Sequence, residues 1–226
     1  MKLLNKMKYK LYKEDISDDL LNHYRMSNLI AVDTELTGLN LSRDKICLIQ
    51  FSDGLGANAI VQVHENWVPK NSKSILENES IRKVFHHAPV DVSFLRADLD
   101  INTRNFHCTK LMSKVVRTYT DKHGLSDLSE ELFSKKMDKT IRQSCFFYEK
   151  LSKEQEEYAI KDVLDLLDIY RELNEMIDRR GMTRSGISCR DANDQAQLAM
   201  KHMIPLLVSG YGGPDSNWDL GWMFKY

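Results

Sequence analysis

Two acids, Asp33 and Glu35, close the apolar run LIAVDTEL. On a strand, side chains two apart leave on the same face, so this pair projects together at the strand end. Like charges held that close repel, and acids beside a core are costly to ionise. A cation between them removes both penalties, and hard ions such as Mg²⁺ or Mn²⁺ take carboxylate oxygens. Standing alone, a D-x-E pair is more often two solvated acids. A further acid, Asp91, lies in FHHAPVDVSFL, at a helix start where the dipole by itself would favour it. The last set is in YAIKDVLDLLDIY, where Tyr158 and Asp162 are four apart and share one face of a helix. Ile160, Val163 and Leu166 flank Asp162 and place it near the core side, where an unpaired acid is expensive. Asp165 and Asp168 fall on solvated or flanking faces.

The elements that must carry these residues follow from periodicity. ISDDLLNHYRM is a short helix with an acidic start. NLIAVDTEL, KICLIQFSDG and NAIVQVH are strand-like runs between turn-rich segments, and the last two suit a meander. SKSILENE reads as helix, IRKVFHHA as strand, and VDVSFLRADL, after Pro89, as helix. NFHCT supplies a fifth strand. KLMSKVVRTY and LSDLSEELFSK are helices about the polar turn TDKHG. One long helix is predicted between Ser152 and Gly181, with Glu154 and Glu157 among the acids of its first turns. GMTRSGISCRDAND reads as a polar loop, and QAQLAMKHMIPLLV as a helix interrupted at Pro205. Strands in succession, then strand and helix alternating, then mostly helix, predict an α/β fold with one mixed sheet. Trp218, Trp222, Phe224 and Tyr226 crowd the final segment, so burial against the domain or a neighbouring subunit is expected.

Bulk properties narrow the function. The 226 residues favour one large domain with a tail, a catalytic-sized unit over 1–180 and a C-terminal extension with an aromatic tail over 181–226. A net charge of −1 excludes a strongly basic coat, so any nucleic-acid contact is local or made to a short piece. Cys47, Cys108, Cys145 and Cys189 are widely spread with no C-x-x-C pair, which argues against a zinc ribbon or a disulfide framework. Reduced thiols in a cytoplasmic protein are the expectation. The N-terminal stretch MKLLNKMKYKLYKED has scattered charges and no apolar core of a signal peptide. No run has the apolar length to span a bilayer, so no membrane partner is expected. His86 and His87 beside Asp91 read as strand-end histidines with local hydrogen bonds rather than zinc ligands. Met176, Met200 and Met203 read as core filler, and Lys135, Lys136 and Lys139 as a solvated helix end.

Taken jointly, the order D-x-E, D, Y-x-x-x-D resembles the DEDD superfamily of 3′–5′ exonucleases, in the tyrosine-bearing subclass typified by ribonuclease D. The matching residues are Asp33 and Glu35, then Asp91, then Tyr158 with Asp162. The resemblance implies a ribonuclease H-like α/β fold, a mixed five-strand sheet flanked by helices, in agreement with the element order above. It implies two divalent cations, Mg²⁺ or Mn²⁺, held by Asp33, Glu35, Asp91 and Asp162 about the scissile phosphate. One would generate hydroxide from water and the other would stabilise the departing 3′ oxygen. Tyr158 would orient the attacking water and need not ionise, since a free Tyr titrates near ~10. Nucleoside 5′-monophosphates would be released.

The stretch FHCTKLMSKVVRTYTDKHGLSDLSEELF is similar to its counterpart in the nano-ribonuclease C group, small exonucleases that finish RNA turnover by cleaving dinucleotides. The similarity runs from about residue 28 to residue 173 and returns in the tail at WDLGWMF. It implies a dinucleotide or very short RNA substrate and a homo-oligomer, with a ring-shaped octamer as the group's architecture. Thr37, Gly38 and Leu39 follow the first motif, and Leu39 matches the position where short-RNA exonucleases insert a leucine between two bases. Ordinary core packing is the other reading of Leu39. RTYTDKHG offers Arg117, Tyr119, Lys122 and His123 as a cap on the substrate's 5′ end, with Lys110 a weaker candidate. The other reading of that segment is a solvated turn. The region RQSCFFYEKLS has Phe146 and Phe147 where ribonuclease D-type chains often carry Trp, and RRGMTRSGISCRDAND has no counterpart. A broader 3′–5′ exonuclease on single-stranded RNA or DNA is the main alternative. A catalytically inactive nucleic-acid-binding scaffold is the other, and the complete set of acids argues against it.

Overall fold

The apolar run that ends in Asp33 and Glu35 forms strand β2 (Leu29–Leu36), inside a six-stranded sheet, in a computed structural model that describes residues 8–64, 69–135 and 151–210. The other strands are β1 (Lys10–Tyr12), β3 (Ile46–Ser52), β4 (Asn58–Gln62), β5 (Arg82–Phe85) and β6 (Phe106–Cys108). They lie in the order β1-β4-β3-β2-β5-β6. β3 is antiparallel to both its neighbours, and every other pairing is parallel. The sheet thus has one strand more than the expected five. The added strand is β1, whose Lys10, Leu11 and Tyr12 pair with Ala59, Ile60 and Val61. Three residues among scattered charges are too short for a period-2 signal, and the partner strand supplies what local sequence does not.

Residues 30, 31 and 32 alternate between the two faces of the sheet, and both faces are covered. Ile30, Val32, Ile49, Phe51 and Val61 pack with Phe94, Leu95, Met200 and Ile204 in one apolar layer. Ala31, Leu48, Ile60 and Val84 pack with Ala159, Ile160, Val163 and Leu167 in the other. A strand buried on both faces reads as a near-continuous apolar run, as β2 does up to Asp33.

The helices are α1 (Asp18–Arg25), α2 (Lys70–Leu76), α3 (Ala88–Leu99), α4 (Thr109–Val116), α5 (Leu125–Phe133), α6 (Lys153–Leu164), α7 (Leu166–Arg180) and α8 (Cys189–Val208). α3 starts before Pro89 rather than after it, because a proline in the first turn lacks only an N–H that has no helical partner there. Ser152 opens α6 with a capping box. Its Oγ accepts from Gln155 N at 3.3 Å, and Gln155 Oε1 accepts from Ser152 N at 2.9 Å.

Two helix boundaries correct the sequence reading. The single long helix predicted from Ser152 is divided at Asp165, between α6 and α7. Apolar periodicity runs on through the break, so only packing reveals it. The polar loop predicted over 181–194 ends early, because Ser188 caps α8 by accepting from Asp191 N at 2.9 Å. Pro205 lies inside α8. The polar residues CRDAND are its first turns, and Asn193 among them is buried. α8 packs on α3, α4 and α7 and sends Met200 and Ile204 into the core.

The side chain of Gln197 on α8 treats β6 as a neighbouring strand would. Its Oε1 accepts from Cys108 N at 2.8 Å and its Nε2 donates to Cys108 O at 3.0 Å. On β5, Lys83 is fully buried, and its Nζ donates to the carbonyls of Asn78 and Ile81 at 2.5 and 2.8 Å. Burial draws its pKa down to about 7. Cys47, Cys108 and Cys189 are buried and outside any disulfide. Cys145, Phe146, Phe147, Lys136, Lys139 and the aromatic tail lie outside the described residues. No helix among the described residues is long and apolar enough to cross a membrane.

Candidate active site

β2 outruns one of its neighbours. It pairs with β5 only over residues 29–31, but with β3 as far as Leu36, with an irregularity between Glu35 and Leu36. Its far half therefore has an edge free of strand, and the acids lie there. The chain leaves β5, turns through His87 in a left-handed conformation (φ 68°), and starts α3, which brings Asp91 to this edge. Thr34 Oγ1 donates to Asp91 Oδ1 at 2.7 Å, and Asp91 is only 5% exposed. α6 packs on β2, β3 and β4 and delivers Asp162, with Tyr158 one turn earlier.

Carboxylate oxygens of Asp33, Glu35 and Asp162 lie within 4.8 Å of one another. Burial pushes the Asp33 carboxyl well above the usual carboxylate range, and Asp91, Asp162 and Glu35 push it further. Burial raises Asp91 to about 7, against the opposing hydrogen bond from Thr34. Both shifts run in the direction expected where buried carboxylates crowd one another, and a bound cation would oppose them. An all-oxygen set of three converging carboxylates fits a hard divalent ion. The close trio does not include Asp91, which stands beside it, linked to Asp33 by charge and to Thr34 by hydrogen bond. His86 is hydrogen-bonded to Thr109 Oγ1 at 2.9 Å, and burial with Lys110 and Lys114 nearby lowers His87 to about 4.

The loop after the acids is built around Asp44. Its carboxylate accepts from Asn40 N at 2.8 Å and from Arg43 Nε at 2.9 Å. A Cβ on Gly38 would lie 2.3 Å from Asp44 Oδ2, so a side chain there would push the Asp44 carboxylate off its partners Asn40 and Arg43. Thr37 closes the loop by donating its N–H to Lys45 O at 2.9 Å and accepting from Lys45 N on Oγ1 at 2.8 Å. Leu39, by contrast, is 75% exposed, which removes the core-packing reading.

The RTYTDKHG segment departs from expectation. Arg117 is fully buried, and its guanidinium is engaged by Ser113 Oγ at 2.8 Å, by Lys122 O at 2.6 Å and by the Glu131 carboxylate. His123 is buried against Ser113 Oγ at 2.8 Å, and burial lowers its pKa. The hydrogen bonds these two residues make hold the turn together. Tyr119 is largely exposed, with its hydroxyl donating to Glu131 Oε1 at 2.5 Å, and Lys122 is exposed. Sequence reading missed Thr34 and Glu131, whose partners are set by packing. It also passed over Gln50, whose signal is a lone amide in the apolar strand ICLIQFS.

A central strand ending in acids, one antiparallel neighbour and helices on both faces define a ribonuclease H-like exonuclease fold. Residues 10–178 match the family model described as 3′–5′ exonuclease, and the chain belongs to that family. It is 27% identical over 159 residues to ribonuclease D of Nitrobacter hamburgensis, covering 70% of this chain and 41% of that protein. It is 29% identical over 164 residues to the exosome complex exonuclease RRP6 of Saccharomyces cerevisiae, covering 71% of this chain and 22% of that one. The chain thus spans less than half the length of these curated relatives. Among solved structures it is similar to NrnC of Brucella melitensis, at 29% identity and covering 94% of this chain and 99% of that one. The TM-score is 0.81 for the structure with bound Mg²⁺ and 0.82 for the one bound to pGG.

Proposed function

We propose that this protein is a metal-dependent 3′–5′ exoribonuclease that hydrolyses dinucleotides or very short RNA to nucleoside 5′-monophosphates. The observation that carries the reading is the convergence of Asp33, Glu35 and Asp162 within 4.8 Å, at the exit of a strand and beside Asp91. Near full-length similarity to NrnC, solved with Mg²⁺ and with pGG, supports both the cation and the short substrate. Asp33, Glu35, Asp91 and Asp162 would hold two cations, Mg²⁺ or Mn²⁺. Such ions supply Lewis-acid charge that activates water and offsets charge on the departing 3′ oxygen.

The chain's own residues do the remainder. Thr34 keeps Asp91 at the strand edge. Tyr158, a turn from Asp162, orients the attacking water through its hydroxyl. Leu39, exposed at the loop tip, separates the two bases, with Thr37 and Gly38 shaping that loop. Tyr119 and Lys122 face outward and can meet the substrate's 5′ end. A chain of net charge −1 suits a short substrate better than a long polyanion. In keeping with the group it resembles, the protein would be a homo-oligomer, and a ring-shaped octamer would scatter light as eight chains.

The test is a time course with 5′-labelled RNAs from two to seven nucleotides in Mg²⁺, with Asp33→Asn as control. Rapid loss of the dinucleotide alone supports the proposal. Stepwise shortening of every length makes the protein a general 3′–5′ exonuclease, the reading that its ribonuclease D and RRP6 relatives favour; single-stranded DNA of the same lengths then decides the sugar. No cleavage above the control makes it a scaffold.

A further inference from the structure

Gln50 is fully buried in the middle of β3, and neither its Nε2 nor its Oε1 has a hydrogen-bond partner. The contrast with Gln197 is direct, since that buried amide bonds both its ends to Cys108. A buried amide left unpartnered is costly, and apolar residues fill the same strand without that cost. Its position explains what it could serve. The register pairs Gln50 with Asp33 on β2 and with Ile60 on β4. Directly opposed residues on antiparallel strands stand on one face, with Cβ atoms about 5 Å apart. Ile60 packs in the layer that includes Ala159, Ile160 and Val163 of α6. Gln50 therefore lies beneath α6, next to Asp33 and on the face that Asp162 approaches.

We propose that Gln50 is a positioning residue of the acidic site, whose Nε2–H donates to the Asp33 carboxylate when that carboxylate holds a divalent cation. An ionised carboxylate has about four acceptor positions, and a cation uses those on its own side. A donor on the protein side takes one of the others and fixes the orientation of the ligand. This inference rests on the metal-dependent reading above and adds a residue that does not itself touch the ion.

The experiment is thermal unfolding of the full chain, without RNA, titrated with Mn²⁺ and separately with Mg²⁺. The variants are Gln50→Leu and Gln50→Met, with Asp33→Asn as control. The expected result is that each Gln50 variant melts no lower than wild type in the absence of metal, since an unpartnered amide has been removed. Each should then need ~10–100-fold more Mn²⁺ for the half-maximal thermal shift. Unchanged Mn²⁺ dependence in a folded variant overturns the inference, and so does a large loss of stability without metal, which would make Gln50 a structural residue. If wild type and Asp33→Asn alike show no shift, the metal-dependent reading itself fails, which is a different outcome from the loss of Gln50's role.

Discussion

Asp33 and Glu35 were legible as a pair because strand periodicity alone puts them on one face. Tyr158 and Asp162 were legible for the matching reason on a helix. What sequence cannot give is a partner fixed by packing. Thr34 sits between the two acids in plain view, yet its bond to Asp91 depends on where α3 begins. Arg117 is a second case: its residue type suggests a phosphate ligand, whereas its bonds to Ser113 and Glu131 follow from how α4 and α5 pack. Two predictions belong at this scale. Leu39→Ala should raise KM for a dinucleotide several-fold and leave the melting temperature within about 1 °C of wild type, because the side chain is 75% exposed. Steady-state kinetics beside a thermal melt check this. Tyr158→Phe should lower kcat by ~10²–10⁴ with little change in KM, as expected when a group that orients a proton-transferring water is lost. Equal kcat for the two proteins would remove Tyr158 from the mechanism.

Elements were recovered more fully than their ends. The strands around the acids and α6 follow from periodicity and capping, whereas the break at Asp165 and the start of α8 depend on tertiary fit. The turn between α4 and α5 is held by one guanidinium. Arg117→Met should destabilise the protein by about 1–3 kcal/mol, chiefly because it leaves Ser113 and the Lys122 carbonyl without their donor, while the exposed Glu131 turns to water. Urea unfolding measures that loss. β5 carries a pH dependence of its own. Lys83 is drawn from an ordinary 10.5 to about 7 in the folded protein, so between those values the unfolded chain binds a proton that the folded one has released. Stability from this residue therefore rises with pH from about 7 toward 10.5 and is least below 7. The unfolding free energy of wild type minus that of Lys83→Met should accordingly increase as pH is raised from 7 to 9. A pH-independent difference would place the Lys83 ammonium in contact with water.

At the scale of the molecule, two apolar layers sandwich one sheet, and a strand that overhangs its neighbour leaves the acids at an uncovered edge. The general architecture was readable because strand runs precede helices in a simple order. The sixth strand was not, because β1 exists only by pairing with β4. Gln197 bears on a different risk. A short terminal strand such as β6 ordinarily offers bare amides and carbonyls to any passing chain, the starting point for sheet-to-sheet aggregation. By occupying the N–H and C=O of Cys108 with a side chain, α8 closes that template from within the same polypeptide. An assembly of several copies would then have to be built from side-chain surfaces on this flank rather than by extending the sheet through Cys108.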